Sequence, residues 1–326
     1  MEGTGNRGQG TGPLSPELVP QTPDPGARGG RWQAWVLAAR PKTLPAAASP
    51  VVLGSACAFA VGGFRLGPAL AALSGALLIQ IATNFANDVA DFERGTDTEA
   101  RLGPTRVTQA GLLSPREVKA GVAVAFLLAV AVGAYLTAVA GWPVVIIGIA
   151  SIGAGLAYSN GPFPLSHHGV GEPFVMVFFG FAAVAGTAFV QVTSVPAAAW
   201  WGGLIAGAFT TAILVVNNTR DHATDRAAGR RTVPARFGRR AGIVELVAFL
   251  ALGYGGTVGM DLAGGAGRWT LIAFATLPLA VVLVRRLAAR DDGPTGNRVL
   301  AGTGGLLLLH CLLLSFGLVA GRVGAP

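Results

Sequence analysis

The sequence predicts an all-α membrane protein of nine spans, and three observations carry that prediction. Hydrophobic residues make up 52% of the 326 and charged residues only 12%, about half the charged share of a soluble domain. Uncharged runs at 43–64, 66–87, 120–171, 173–219 and 299–321 are each long enough to cross a bilayer, which takes about 20 apolar residues. Of the 24 Lys and Arg residues, all but Arg65, Arg268 and Arg322 fall on one side of a nine-span thread. That asymmetry places the N-terminus in the cytoplasm and the C-terminus outside.

The two longest runs must turn back midway, and the breakers stand at Gly141-Trp142-Pro143 and within 191–196. Weaker stretches at 241–260 and 269–284 complete the count. The spans then lie near 44–62, 68–90, 117–140, 143–160, 171–190, 197–218, 240–260, 269–285 and 299–321. Residues 1–30, rich in Gly and Pro, cannot bury a core and are expected to form a disordered tail, leaving 31–326 as the membrane domain. No apolar segment precedes residue 43, so no cleavable leader is expected. Trp32 and Trp35, with Arg31, Arg40 and Lys42, read as an interfacial helix leading into the first span. The 48 glycines suit close helix packing in a membrane. Cys57 and Cys311 fall inside spans and read as packing residues. Glu245, in the first turns of the seventh span, reads as a headgroup-level residue.

The net charge of +8 reads first as topology, then as affinity for anionic lipid or an anionic substrate, and nucleic acid is not an expected partner. Two acidic clusters sharpen this. In NFANDVADFERGTD (84–97), Asn84, Asn87, Asp88 and Asp91 follow at i, i+3, i+4 and i+7, one face of a helix. In NNTRDHATDRAAGRRT (217–232), Asn217, Asp221 and Asp225 follow at i, i+4 and i+8, with Asn218 three before Asp221. Both clusters end a span on the same side. Gathered carboxylates repel unless a cation neutralises them, and oxygen ligands of this kind suit Mg²⁺, which binds through one or two carboxylates plus substrate phosphates. Arg94, Arg101 and Arg106 follow the first cluster, and Arg220, Arg226, Arg230 and Arg231 surround the second; guanidinium groups are fitted to phosphate oxygens. The competing reading is a set of solvated loop ion pairs of little energetic worth. His222 and the adjacent His167 and His168 read as loop residues. His310, inside the ninth span, reads as hydrogen-bonded within the bundle.

These residues resemble the UbiA-type intramembrane prenyltransferases. The first cluster is similar to the family's NDxxDxxxD element through Asn87, Asp88 and Asp91. It departs at the third acid, where Gly95 stands and Asp97 follows. The second is similar to the quinone-pathway pattern NNxRDxxxDxxAGxxT through Asn217, Asn218, Arg220, Asp221, Asp225, Ala228, Gly229 and Thr232. RPKTLPAAASPV (40–51), the run from Arg101 to Arg106, and YSNGPFPLSHHGVGEPFVMVFFG (158–180), with Gly169, Gly171 and Glu172, extend the likeness over about 38–240.

The resemblance implies nine helices around a central cavity, with the two motifs facing each other at its cytoplasmic mouth. It implies Mg²⁺ held by Asn84, Asp88, Asp91, Asp221 and Asp225, and polyprenyl diphosphate as donor with its tail among membrane lipid. Within the quinone branch the acceptor would be 1,4-dihydroxy-2-naphthoate, and the host bilayer a prokaryotic inner membrane. Lys42, Arg101, Arg106 and Arg230 would contact phosphate, with Asn87, Asn217, Asn218 and Arg220 beside them; Tyr158 would face an allylic cation through its ring. Loops 92–116 and 219–239 are expected to close over the site and exclude water. The alternatives are a prenyltransferase for 4-hydroxybenzoate or homogentisate, and a transporter. A transporter would place its polar groups near the bilayer midplane, whereas these clusters sit at one face.

Overall fold

The fold of the chain comes from a computed structural model that describes residues 30–95, 106–159, 164–263 and 268–323. Every regular element among them is helical. Helix α1 (Arg31–Ala39) ends at Arg40, whose φ of 53° is left-handed, because Pro41 cannot continue the helix. A single 3₁₀ turn (Pro41–Thr43) redirects the chain into α2 (Leu44–Ala60). Thus the predicted interfacial segment is a helix of its own before the first span, with Trp32 largely exposed.

Helices α3 (Leu66–Glu93), α4 (Pro115–Ala140) and α5 (Pro143–Ser159) follow. A capping box opens α4: Ser114 Oγ accepts from the Glu117 N–H, and Glu117 Oε2 accepts from the Ser114 N–H at 2.8 Å. Gly141, at φ 87°, supplies the left-handed turn between α4 and α5. The fifth apolar segment combines α6 (Gly171–Val175), a π-helical stretch (Met176–Ala182) and α7 (Ala183–Val192). Next come α8 (Ala197–Arg220), the short α9 (His222–Ala227) and α10 (Val233–Phe237), and α11 (Arg239–Leu262). A 3₁₀ stretch (Trp269–Thr276) leads into α12 (Leu277–Ala289), and α13 (Gly293–Val323) ends the described chain.

Among the described residues, eight segments are long and apolar enough to cross a membrane, counting α1 with α2, against the nine expected; α5, in the place of the fourth, is apolar but shorter. The eight fall where the sequence places them, with one further difference. The ninth span, expected from residue 299, begins at Gly293. Asp292 accepts the Thr295 N–H and hydroxyl at 2.6 and 2.9 Å, and this cap nucleates almost two turns of helix inside the expected loop.

Helix α8 is the axis of the bundle. Its faces pack against α7, the π stretch, α11, α13 and α2, and Phe209, Ile205, Val215 and Val216 are fully buried with Leu53, Leu306 and Leu314. Small residues permit this: a Cβ on Gly180 would strike the backbone of Gly203 and Gly207, and one on Gly253 would lie 2.7 Å from the Phe209 ring. Helices α3 and α4 pack on each other at the periphery, and Val124, Leu127, Leu128 and Val130 of α4 face outward as a lipid-facing surface does.

Residues read as structural behave so. Cys57 and Cys311 are free and buried in this core. His310 lies between the hydroxyls of Thr257 (3.0 Å) and Thr276 (2.9 Å), with Tyr254 against Thr276 at 2.8 Å, so a buried polar group is satisfied within the bundle. Glu245 is half-buried, and its Oε2 has no hydrogen-bond partner among the described residues.

Candidate active site

The polar residues of α3 gather at its C-terminal end because the helical period stacks Asn84, Asp88 and Asp91 on one face, and all three are buried. Asn84 ties the elbow before α2: its Nδ2 donates to Ala39 O and Thr43 Oγ1, each at 3.0 Å, and Oδ1 accepts from Gln80 at 3.3 Å. Lys42 sits exposed in the 3₁₀ turn beside this tie. Asp88 accepts the backbone N–H groups of Val107 (3.2 Å) and Thr108 (3.0 Å). Arg106 pairs with Asp91, both nearly buried. The Asn87 Oδ1 is buried with no hydrogen-bond partner among the described residues.

Residues 106–113, part of the first loop expected to close over the site, form a packed element. Val107 and Leu113 are buried with Phe85, Val89 and Val118, and Asp88 pins its backbone from below. Burial of these apolar side chains and the two charge-assisted bonds outweighs the freedom that an open loop would keep. Arg101 and Asp97 lie outside the described residues.

The second cluster is built at the end of α8. Asp221 terminates the helix, and its carboxylate takes a fork from Arg220: Nε to Oδ1 at 2.8 Å and Nη2 to Oδ2 at 2.5 Å. The same guanidinium donates to Asn217 Oδ1 (2.8 Å) and Asn297 Oδ1 (2.7 Å). Arg220 is therefore committed to protein acceptors. The Asp225 N–H bonds Asp221 O at 2.8 Å, carrying the helical path into α9, and Asp225 pairs with Arg230 Nη1 at 3.3 Å. Arg226 donates to Ala235 O at 2.7 Å and so joins α9 to α10, while Arg231 is exposed. Thr232 caps α10. His222 Nδ1 lies 3.0 Å from Thr219 O, a helix-end contact.

Tyr158, near the end of α5, lies within electrostatic reach of both clusters. Glu172, Arg230, Asp225 and Asp91 all stand close enough to the Tyr158 hydroxyl to act on it electrostatically. Arg230 and Arg94 do the same at His167. Partial burial first, then the positive fields of Arg230, Arg94 and His168, holds the His167 imidazole below its ordinary pKa. The Arg231 N–H donates to His167 O at 2.9 Å. Gly169, at φ 71°, passes so close to Arg231 O that a Cβ would overlap it. The ends of α3 and α8 thus share one end of the bundle, around Tyr158.

Sequence reasoning assigned no role to Glu172 and Asn297 and left Arg94 as one of several basic loop residues. Glu172 is 7% exposed and accepts from Asn218 Nδ2 at 3.1 Å. Its signals in the sequence were a charge at the start of an apolar run and its place in the 158–180 stretch that carries the family resemblance. Asn297 lay in a segment read as a loop.

Among the described residues, no three Asp, Glu, His or Cys side chains form a ready-made metal cage. The donor set still fits Mg²⁺, which keeps waters and takes one or two carboxylates with substrate phosphates rather than an all-protein shell. A carboxylate oxygen has two lone pairs, so Asp88 and Asp221 each keep acceptor sites beyond their protein bonds. Buried Asn87 Oδ1 and Arg230 Nε, both without hydrogen-bond partners among the described residues, are a matched acceptor and donor for a bound cation and anion.

Comparison with known proteins shows the family of the chain. Residues 47–319 match the UbiA prenyltransferase family. The 1,4-dihydroxy-2-naphthoate octaprenyltransferase of Escherichia coli (strain K12) is 36% identical over 214 residues, covering 64% of this chain and 70% of that protein. Its namesake from Mycobacterium tuberculosis is 32% identical over 293 residues, 89% of this chain and 98% of that one. A UbiA homologue from Archaeoglobus fulgidus, bound to DMAPP and Mg²⁺, superposes with a TM-score of 0.65 at 15% identity, covering 88% of this chain and 99% of that chain.

The chain is a helical bundle with membrane-spanning segments and with acidic and basic side chains gathered at one end. The chain belongs to the UbiA prenyltransferase family, and its class is the aromatic prenyltransferases.

Proposed function

We propose that the chain transfers a polyprenyl group from polyprenyl diphosphate to 1,4-dihydroxy-2-naphthoate, releasing diphosphate and CO₂ and giving the quinol form of demethylmenaquinone. The observation that carries this reading is the pairing of buried or half-buried aspartates with arginines at the ends of α3 and α8: Asp91 with Arg106, Asp221 with Arg220 and Asp225 with Arg230. The acceptor follows from the names of the relatives from E. coli and M. tuberculosis. In this reading residues 31–326 form one catalytic domain in a prokaryotic plasma membrane, with residues 1–30 as a tail and the site facing the cytoplasm.

Asp88, Asp91, Asp221, Asp225 and the Asn84 carbonyl would hold Mg²⁺, and Mg²⁺ when bound would supply charge neutralisation for the leaving diphosphate. Arg230 donates from its Nε to a diphosphate oxygen, and Lys42 and Arg101 are the further contacts proposed for it. Arg106 acts through Asp91, and Arg220 through Asp221, by holding each carboxylate in place. Asn87, Asn217 and Asn218 complete the polar wall. As the allylic C–O bond breaks, negative charge grows on the diphosphate and positive charge on the isoprenoid carbon. The Tyr158 ring faces that carbon, and its π electrons favour the developing cation. The packed 106–113 element and the 164–170 segment exclude water, which would capture the cation. Carbon–carbon bond formation on the electron-rich naphthoate ring, followed by loss of CO₂, restores aromaticity. The isoprenoid tail stays in apolar surroundings, where each CH₂ contributes about 0.8 kcal/mol.

Purified protein in bilayer discs is given dihydroxynaphthoate and labelled polyprenyl diphosphate, with Mg²⁺ or with chelator. The expected result, with Mg²⁺ only, is CO₂ and the labelled quinol, recovered as demethylmenaquinone after oxidation in air. Product with 4-hydroxybenzoate or homogentisate in place of dihydroxynaphthoate reassigns the acceptor, and turnover undiminished by chelator removes the metal reading.

A further inference from the structure

The last membrane helix carries no acidic motif and takes no part in the mechanism above, yet its first turns reach the second cluster. Asn297 Oδ1 accepts from Arg220 Nη1 at 2.7 Å across 77 residues of sequence. One position earlier, Gly296 gives the Arg220 side chain its berth: a Cβ there would lie 2.5 Å from Arg220 Cγ and 2.8 Å from Cδ. Both residues owe their placement to the cap at Asp292, which holds the Thr295 N–H and hydroxyl and whose carbonyl accepts the Gly296 N–H at 3.0 Å. The chain just before the cap is clamped in turn, since Arg239 of α11 donates to Leu287 O and Arg290 O and pairs with Asp291 at 3.0 Å.

The consequence falls on Asp221. Arg220 holds both oxygens of that carboxylate in a planar fork, and a fork fixes its partner only if it is itself fixed. Asn217 lies on the same helix and holds one edge of the guanidinium. Asn297 holds the other nitrogen from a different helix. With the aliphatic stem packed on Gly296, the guanidinium has one orientation, and the Asp221 oxygens inherit it.

We propose that Asn297 and Gly296 are positioning residues for the reaction: they lock Arg220, and through it orient Asp221 toward the metal and diphosphate site. This rests on the metal reading under Proposed function. It assigns α13 a role in the site that its apolar sequence does not advertise.

The test uses full-length protein in bilayer discs and Mn²⁺ as the probe, read by electron paramagnetic resonance without substrate, together with kcat and KM. Asn297→Ala and Gly296→Ala are expected to weaken Mn²⁺ binding about tenfold and to lower kcat, with KM for the aromatic acceptor unchanged. Asn297→Asp keeps an oxygen acceptor facing Arg220 and is expected to restore Mn²⁺ affinity to within about twofold of wild type. Arg322→Ala, which removes a bond to Ala60 O at the far end of α13, serves as a control for helix destabilisation. If Asn297→Ala and Gly296→Ala lower melting temperature as Arg322→Ala does but bind Mn²⁺ like wild type, the positioning role is overturned. If wild type binds no Mn²⁺ and turns over without divalent metal, the metal reading fails and takes this inference with it.

Discussion

The Asp88 carboxylate accepts the Thr108 backbone N–H at 3.0 Å, although twenty residues separate them. With the Val107 N–H on its other oxygen, this makes Asp88 an anchor for the 106–113 element as well as a proposed metal ligand, and substitutions separate the two duties. Asp88→Asn keeps one acceptor oxygen and loses the charge. It is expected to lower prenyl transfer at least about a hundredfold and, because it keeps one of the two backbone bonds, to lower the melting temperature less than Asp88→Ala does. Asp88→Ala strands two buried N–H groups, which costs about 1–3 kcal/mol for each, so it is expected to lose activity and stability together. Equal melting temperatures for the two variants would remove the anchoring role.

The Arg106–Asp91 pair is the most buried ion pair that the described residues show at the site. Removing one member of such a pair leaves an uncompensated charge and typically costs about 3–5 kcal/mol, whereas replacing both by neutral groups costs far less. Arg106→Leu is therefore expected to destabilise the protein strongly, and Arg106→Leu with Asp91→Asn to recover most of the lost melting temperature. Activity should not return in the double variant, because the Asp91 charge is gone. A double variant no more stable than Arg106→Leu alone would show that the pairing is not what holds this corner.

Much of this arrangement was legible in the sequence, for reasons that can be traced residue by residue. Helical periodicity alone puts Asn84, Asp88 and Asp91 on one face, and the position of Lys and Arg residues alone puts the ends of α3 and α8 on the same side. Sequence could not say that Arg220 turns back onto Asp221 rather than outward to phosphate, since that depends on Asn297 and Gly296, distant in the chain and brought there by the packing of α13 on α8. Nor could it show that 106–113 is packed down. VTQAGLLS reads as a loop because its apolar residues follow no helical or strand period, and their burial depends on Phe85 and Val118 lying beneath. The start of α13 was misplaced because hydropathy marks the apolar part of a helix, whereas the Asp292 cap lies two turns before it.

Arg230 has one hydrogen-bonding edge on Asp225 and a buried Nε with no partner among the described residues. In the proposed complex that Nε meets a diphosphate oxygen. Arg230→Lys keeps the charge but loses the directed second donor, so KM for polyprenyl diphosphate is expected to rise about tenfold while KM for the acceptor stays constant. Steady-state kinetics with each substrate varied in turn checks this. A rise confined to the acceptor would move Arg230 to the other half of the site.

The environment of His167 makes a prediction about pH. Burial, Arg230, Arg94 and His168 all act against its protonation in the folded chain, lowering its pKa from 6.5. A group whose folded pKa is depressed contributes stability that is complete above its unfolded pKa and lost as pH falls through the folded value. Between pH 7.5 and 6.5 the stability difference between wild type and His167→Gln should therefore be nearly constant. Below pH 6.5 the wild type should lose melting temperature faster than the variant, because its unfolded chain gains a proton that the folded chain resists. Taking the difference cancels the groups that both proteins share, including Asp292, whose carboxylate the Thr295 N–H and hydroxyl hold below the ordinary range and which titrates at lower pH. A wild type that gains stability relative to the variant below pH 6.5 would mean that protonated His167 finds an acidic partner, and its place among Arg94, Arg230 and His168 would have to be revised.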